Sequence, residues 1–274
     1  MTRVLMTGVT GFVGRHVLKE LLNRSVEVVA VLRSGAEVPS GLYNAIQTND
    51  LFTESEVFWA ETYAGIDIVL HLAWYAEPGK YVNSPKNLTC MIGTLRMAES
   101  AAKASVKKFV GIGTCFEYDL DVGYLRTSTP LRPRSPYASA KAGTYLALSQ
   151  TLSRIGISFA WCRLFYLYGQ GEDSRRLVPY LRGRLAAGEV AELTSGRQIR
   201  DFLDVAEAAR RIVEIALSNA EGAYNVCSGK PITVADLAHS IATEYGRPEL
   251  LKFGAREDNA EDPLCVLGEP TPIS

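Results

Sequence analysis

The first 22 residues combine three features whose order restricts the possible folds. A strand-like run at Arg3–Met6 is followed by glycines at positions 8, 11 and 14, and the helical pattern Phe12–Leu22 begins inside this glycine turn. Gly8 permits a tight turn, Gly11 lets a ligand approach the backbone, and Gly14 lets the helix pack closely on the strand. This order is typical of a strand–turn–helix unit that cradles a pyrophosphate.

The start of this helix offers a second means of holding an anion. Unpaired backbone N–H groups and the positive end of the helix dipole both favour negative charge at a helix N-terminus. The turn therefore predicts a dinucleotide site, whose cofactor-binding residues are Gly8, Thr10, Gly11, Phe12, Val13 and Gly14.

Apolar strand patterns alternate with helical patterns along the first half of the chain. Such alternation indicates a parallel sheet covered on both faces, and we predict a doubly wound α/β fold. We expect a dinucleotide-binding domain over residues 1–165 that shares later strands around 199–226, and a smaller, mainly substrate-binding C-terminal lobe over 166–274. The stretch from about Lys252 shows no clear element. The main predicted strands are Arg3–Met6, Val26–Leu32, Asp67–Leu72, Lys108–Ile112, Ile157–Leu164 and Ala223–Val226.

The composition argues against several classes of partner and binding site. The formal net charge is −1, so no global positive field would attract nucleic acid or an anionic membrane. The five cysteines are far apart and odd in number, which argues against a disulfide framework or a zinc site. The three histidines share no metal-ligand spacing, so we predict no metal. No apolar stretch is long enough to span a bilayer, and we expect a cytoplasmic protein.

The end of the second strand bears on which dinucleotide binds. An NAD enzyme often has an acidic residue there for the ribose 2′-hydroxyl, whereas this chain has Arg33 and Ser34. Because an arginine pairs with a 2′-phosphate and stacks on adenine, we favour NADP(H), with NAD(H) as the alternative. Asp50 and Leu51 follow the third strand and are predicted beside the adenine, although Asp50 could equally cap a helix over Thr53–Tyr63.

Tyr137 and Lys141 are one helical turn apart at the start of a predicted helix. An ammonium nearby stabilises a phenolate, and a cationic oxidised nicotinamide would add to the effect. We therefore expect Tyr137 to exchange protons near neutral pH, as general acid–base chemistry on an alcohol or ketone requires. Lys141 can also hold the ribose hydroxyls of a nicotinamide nucleotide.

Thr114 follows the strand Lys108–Ile112, at the sheet edge where ligands bind in open α/β folds. Its hydroxyl would bind a substrate carbonyl oxygen and orient it toward Tyr137, or it could simply cap the strand end. Glu117 follows closely and is expected to face the substrate.

With these pieces in order, the chain resembles the extended short-chain dehydrogenase/reductases of the NAD-dependent epimerase/dehydratase group, which act on nucleotide sugars through a Rossmann fold. The motifs that carry the resemblance are Gly8-x-x-Gly11-x-x-Gly14, His71-Leu72-Ala73, Gly93-Thr94, Thr114, Tyr137-x-x-x-Lys141, Arg163-x-Phe165 with Tyr168-Gly169, Arg200-Asp201-Phe202-x-Asp204-Val205 and Ala223-Tyr224-Asn225-Val226.

The resemblance implies further roles. Leu72 and Ala73 would line the cofactor, Phe165 would lie near the nicotinamide, and Arg200 would hold the diphosphate of the nucleotide sugar. Tyr166 stands where similar enzymes often place an Asn that touches the substrate, so it is expected at the substrate. The helices bearing Tyr137 and residues 93–104 resemble those that pair in a homodimeric four-helix bundle.

Three reactions or roles fit these residues. The first is NADPH-dependent reduction of a keto group, at C4 of a nucleotide-linked 4-keto-6-deoxy sugar, with Tyr137 as proton donor. The second is a nucleotide-sugar 4-epimerase with retained NAD, and the third is a non-catalytic dinucleotide sensor. A 4,6-dehydratase fits less well, because such relatives carry an acid pair beside the strand-end Thr, where this chain has Cys115 and Phe116.

Overall fold

Seven parallel strands form the central sheet of the computed structural model, which describes residues 1–273. This sheet confirms the predicted doubly wound fold. Across the sheet the order is β11 (Gly222–Val226), β7 (Ser158–Leu164), β5 (Lys108–Thr114), β4 (Ile68–His71), β1 (Thr2–Thr7), β2 (Val26–Arg33) and β3 (Asn44–Thr48).

The direction of strand succession reverses between β1 and β4. In open α/β sheets, ligands bind in the crevice that such a reversal leaves at the carboxyl ends of the strands. The residues that follow these two strands are the glycine turn and the Leu72-Ala73 pair. The fold therefore brings the two predicted cofactor motifs to the same edge of the sheet.

Helices cover both faces of the central sheet. The helices are α1 (Phe12–Leu22), α2 (Glu56–Thr62), α3 (Lys86–Lys103), α4 (Pro136–Thr151), α5 (Leu177–Ala187), α6 (Val205–Leu217) and α7 (Val234–Glu244). Side chains alternate along β1, so Val4 and Met6 pack with α1 and α6 on one face, and Leu5 packs with α2, α3 and α4 on the other.

The start of α4 is fixed by local sequence. The Ser135 hydroxyl accepts a hydrogen bond from the Ala138 N–H at 3.2 Å, and Pro136 occupies the first helical turn, where a missing N–H costs nothing. Tyr137 therefore lies in the first turn of the helix, and Lys141 lies one turn further along.

A smaller mixed sheet lies beyond the carboxyl edge of the first, and its last strand corrects one expectation. The stretch after Lys252, predicted to lack a clear element, contains a strand whose Val266 is fully buried. Such a four-residue strand has too short a pattern to be recognised from its own sequence. The small sheet contains β12 (Pro231–Thr233), β10 (Ile199–Asp204), β14 (Cys265–Gly268) and β6 (Tyr124–Leu125), with β8 (Tyr166–Tyr168) paired to β10.

Helices α5 and α7 share a separate apolar cluster with a two-stranded sheet of β9 (Ala191–Glu192) and β13 (Leu251–Lys252). β11, although late in the chain, belongs to the central sheet, where it pairs with β7. Among residues 1–273, no helix is both long and apolar enough to cross a membrane.

Candidate active site

The glycine turn has the geometry of a phosphate cradle. Gly8 adopts a φ of +74°, and the Gly11 N–H donates to the Gly8 carbonyl oxygen at 3.1 Å. A Cβ on Gly14 would lie only 1.9 Å from that same oxygen, so only glycine allows this approach of helix to turn. No side chain caps the start of α1, and its first turn contains no acidic residue. The exposed N–H groups therefore suit a pyrophosphate.

His71 fixes the second wall of this crevice. Its Nδ1 lies 2.8 Å from the Thr7 hydroxyl and its Nε2 lies 2.9 Å from the Thr94 hydroxyl. Since Thr94 donates to the Cys90 carbonyl oxygen, it accepts from Nε2, which makes Nε2 the protonated nitrogen. Burial lowers the pKa of His71 to about 3, so the ring is neutral and ties β4 to β1 and α3.

Leu72 and Ala73 lie against the glycine turn. The Ala73 N–H donates to the Thr7 hydroxyl at 3.2 Å, and a Cβ on Gly8 would lie 2.7 Å from the Ala73 nitrogen. The structure thus brings together the two segments predicted to line the cofactor.

The predicted adenine contacts lie at the far side of the same edge. Arg33 and Ser34 are both exposed at the end of β2, in position to meet a ligand from solvent. Asp50 does not cap α2, because Ser55 does so by accepting from the Phe58 N–H at 3.1 Å. The Asp50 carboxylate instead accepts from the Phe52 N–H in the preceding turn, and Leu51 packs on the core beneath α2.

Thr114, Tyr137 and Lys141 converge where β5 ends and α4 begins. The Thr114 side chain lies close enough to Tyr137 to act on its phenol, whose pKa it lowers. The Lys141 Nζ donates to the Ile112 carbonyl oxygen of β5 at 2.6 Å. Thr114 and Lys141 are buried and Tyr137 is half-buried. The three predicted catalytic side chains therefore lie together beside the cofactor crevice.

The ionisation of Tyr137 differs from the expectation. Burial raises the pKa of Tyr137 well above its usual range, and the neighbouring Tyr81 and Glu117 raise it further. Lys141 does not offset this shift, because its ammonium is directed to the Ile112 carbonyl. The predicted phenolate is therefore not favoured here, and Tyr137 is a neutral phenol that can donate a proton.

Lys141 is an unusual lysine because it is buried without a direct carboxylate partner. Desolvation lowers its pKa to about 7, although the charge of Glu117 acts in the opposite direction. Its ammonium lies 3.7 Å from the centroid of the Trp74 ring, a cation–π contact that favours the charged form.

Sequence reasoning missed two aromatic residues of this site. Trp74 lies over Lys141 and is held by a hydrogen bond from its Nε1 to the Asn87 side-chain oxygen at 2.8 Å. The Tyr81 ring packs edge-on against Tyr137 with centroids 4.8 Å apart. Trp74 directly follows the His71-Leu72-Ala73 motif, which was a usable signal, whereas Tyr81 lies in a loop with no pattern.

Glu117 was predicted to face the substrate, and the structure places it in the interior instead. The side chain is fully buried, and its Oε2 accepts from the Arg163 Nε at 2.7 Å. Its Oε1 accepts from the Thr114 N–H at 2.8 Å and from the Trp161 Nε1 at 3.0 Å. A buried carboxylate requires such partners, and they leave it directed away from the crevice.

The remaining predicted contacts lie between the two sheets. Phe165 is buried in an apolar cluster with Cys115 and Val266. The Tyr166 ring is half-buried and lies 5.3 Å from the Arg200 guanidinium carbon. Arg200 is 3% exposed and forms an ion pair with Asp262 at 2.7 Å, so a substrate diphosphate would have to compete with that carboxylate.

Comparisons with a family model and with known proteins point to one family. The model of the NAD dependent epimerase/dehydratase family matches residues 4–227. The chain is 28% identical to a dTDP-6-deoxy-L-talose 4-dehydrogenase (NAD(+)) of Aggregatibacter actinomycetemcomitans, over 97% of this chain and 98% of that protein. It is 25% identical to a UDP-glucose 4-epimerase of Bacillus subtilis, over 92% of this chain and 85% of that protein.

Among solved structures, the crystal structure of a UDP-glucose 4-epimerase from Thermotoga maritima with UDP-glucose superposes with a TM-score of 0.85. The match covers 98% of this chain and 90% of that one, at 23% identity. It shows that the two chains share a fold.

Proposed function

The chain belongs to the NAD-dependent epimerase/dehydratase family and is an NAD(P)-dependent enzyme of the extended short-chain dehydrogenase type, and we propose that it reduces the C4 keto group of a nucleotide-linked 4-keto-6-deoxy sugar. The relative named dTDP-6-deoxy-L-talose 4-dehydrogenase supports this reaction, because a 4-dehydrogenase working in reverse is a 4-ketoreductase. That relative matches this chain over nearly the full length of both.

The observation that carries the proposal is the absence of an available carboxylate beside Thr114. Cys115 and Phe116 follow it, and the next acidic side chain, Glu117, is fully buried in its ion pair with Arg163. Eliminating water from a sugar requires a base and an acid in addition to the redox groups. Simple hydride and proton transfer at C4 needs only the Thr–Tyr–Lys set.

The proposed mechanism assigns one role to each side chain. The nicotinamide, when bound, supplies the hydride. The Thr114 hydroxyl hydrogen-bonds the C4 oxygen and orients it, and Tyr137, a neutral phenol at pH 7, donates its proton to that oxygen as negative charge develops. Lys141, with a pKa of about 7, would hold the nicotinamide ribose hydroxyls when the nucleotide is bound, and Tyr137, which is half-buried, would regain its proton from solvent.

We favour NADPH as the reductant because of Arg33. Its exposed guanidinium at the end of β2 suits a 2′-phosphate, with Ser34 beside it. The similar 4-dehydrogenase carries NAD(+) in its name, so NADH is the alternative reductant, and a titration with both nucleotides distinguishes the two.

We further propose that the enzyme is a homodimer through α3 and α4. These helices pack together and leave Leu88 and Ile92 on α3 and Leu146 on α4 exposed, at 60%, 42% and 52%. Leu88 and Ile92 are four residues apart and share one helix face, so a second copy of the same pair would bury them in a four-helix bundle.

The test is to denature the purified protein, identify any released dinucleotide, and titrate the apo protein with NADPH and NADH. Reversible binding that favours NADPH, together with NADPH-dependent loss of a 4-keto nucleotide sugar, is expected of the reductase. Arg33→Asp should then shift the preference toward NADH. Tightly retained NAD at one equivalent per chain, with no net consumption of cofactor, would instead identify a 4-epimerase.

A further inference from the structure

We propose that Glu117 is a positioning residue, which fixes Thr114 for its bond to the substrate carbonyl oxygen. The inference rests on the proposed function, since it concerns how the strand-end hydroxyl is held for that reaction. Glu117 itself touches neither crevice nor solvent, because it is fully buried.

The carboxylate holds the backbone of Thr114 directly. Its Oε1 accepts from the Thr114 N–H at 2.8 Å, while the Thr114 hydroxyl accepts from the Phe116 N–H at 3.3 Å. These reciprocal bonds form a capping box around the short 3-10 helix Cys115–Glu117. The backbone turn that presents Thr114 to the crevice is therefore closed by the Glu117 side chain.

The carboxylate is in turn anchored on the neighbouring strand β7. Arg163 donates to it through Nε at 2.7 Å, and Trp161 donates through Nε1 at 3.0 Å. Arg163 also donates to the Tyr118 hydroxyl at 2.8 Å, which itself donates to the Asn225 side chain on β11 at 2.7 Å. This buried polar network links three neighbouring strands at the carboxyl edge, so Thr114 cannot shift without breaking charge-assisted bonds.

The same network explains the glycine that precedes Thr114. A Cβ on Gly113 would lie 2.1 Å from the Trp161 Nε1 and 2.3 Å from the Glu117 Oε1. Glycine is thus required at this position for the carboxylate and the indole to meet behind the strand. The Gly113-Thr114 pair and the buried Glu117 therefore form one structural unit.

A matched pair of double variants tests the proposal without leaving a buried charge unpaired. E117Q/R163M and E117L/R163M both remove the ion pair and have similar volumes, but only the first keeps an oxygen that accepts from the Thr114 N–H. We expect kcat of E117L/R163M to be at least about tenfold below that of E117Q/R163M, with little difference in KM. Circular dichroism and thermal melts establish that both variants are folded.

A third substitution distinguishes positioning from general destabilisation. In a T114A background the hydroxyl to be positioned is absent, so the difference in kcat between the two double variants should shrink to less than about twofold. Equal kcat for the two double variants, or an undiminished difference in the T114A background, would overturn the proposal.

A readout that needs no substrate separates failure of this inference from failure of the proposed function. Hydrogen exchange of the Thr114 amide should be faster in E117L/R163M than in E117Q/R163M. If wild-type enzyme does not reduce 4-keto nucleotide sugars but the exchange rates differ as expected, the proposed function fails and the positioning contact stands. Equal exchange rates would refute the positioning contact whatever the substrate.

Discussion

Replacing Lys141 with Met should make the protein more stable while removing its activity. The pKa of Lys141 is 10.5 in the unfolded chain and about 7 in the folded one. At about 1.4 kcal/mol per pH unit, this difference lowers the free energy of unfolding by an amount on the order of 4 kcal/mol at pH 7. Methionine fills a similar volume without the charge. The substitution also removes the bond to Ile112 and the contact with Trp74, together worth about 2 kcal/mol.

The expected net gain is therefore about 2 kcal/mol, or a rise in Tm of about 4–8 °C for a chain of this size. The gain should depend on pH in a defined direction. Because the folded-state pKa of Lys141 is the lower one, the unfolded chain holds more protons between pH 7 and 10, and raising the pH through this window stabilises the wild type. The cost of the lysine is fully present below pH 7.

The advantage of Lys141→Met should therefore be largest at pH 6 and shrink toward pH 10. Chemical denaturation of both apo proteins at several pH values measures this difference, and subtraction cancels every other titrating group. A variant that is less stable than wild type at pH 6, or an advantage that does not change with pH, would refute the reasoning. Either result would mean that the buried Lys141 does not destabilise the folded chain.

Three further outcomes are expected. Trp74→Leu should lower the apparent pKa of the alkaline limb of the pH–rate profile by roughly 0.5 unit, because the indole favours the charged form of Lys141. Trp74→Phe should lower this pKa less, and an unchanged pKa would count against the contact. Gly14→Ala should weaken NADPH binding about 100-fold or more in a fluorescence titration, whereas Gly183→Ala, with open space around its Cβ, should leave binding unaltered. Leu88→Glu should produce monomers in analytical ultracentrifugation, and Val190→Glu, at an apolar position that is exposed elsewhere, should not. An unchanged dimer in the first variant would exclude this face.

The sequence predicts the glycine turn and the strands and helix around it well because their determinants are local. Gly8, Gly11 and Gly14 act within one turn and helix, and the strand that carries His71 has an unmistakable apolar pattern. The first turn of α4 is equally local, since Ser135 caps the helix that carries Tyr137. Patterns of this kind depend on spacing along the chain, and spacing is visible without a structure.

The parts that could not be predicted depend on partners distant in sequence. Glu117 looks like a substrate contact until Arg163, 46 residues later, is seen to pair with it in the interior. Lys141 was expected to lower the pKa of Tyr137, but the Ile112 carbonyl and the Trp74 ring hold its ammonium instead. Burial and competition between partners decide these cases, and neither is encoded in a local motif.

The central claim is net hydride transfer to C4 with Tyr137 as the proton donor. The most direct measurement incubates the enzyme with a dTDP-4-keto-6-deoxy sugar and NADPH deuterated at the transferred position, and follows the product by mass spectrometry and NMR. The account predicts one deuterium at C4 per NADPH consumed with wild-type enzyme, and loss of most turnover in Tyr137→Phe although NADPH still binds. Product without deuterium, or wild-type turnover in Tyr137→Phe, would contradict it.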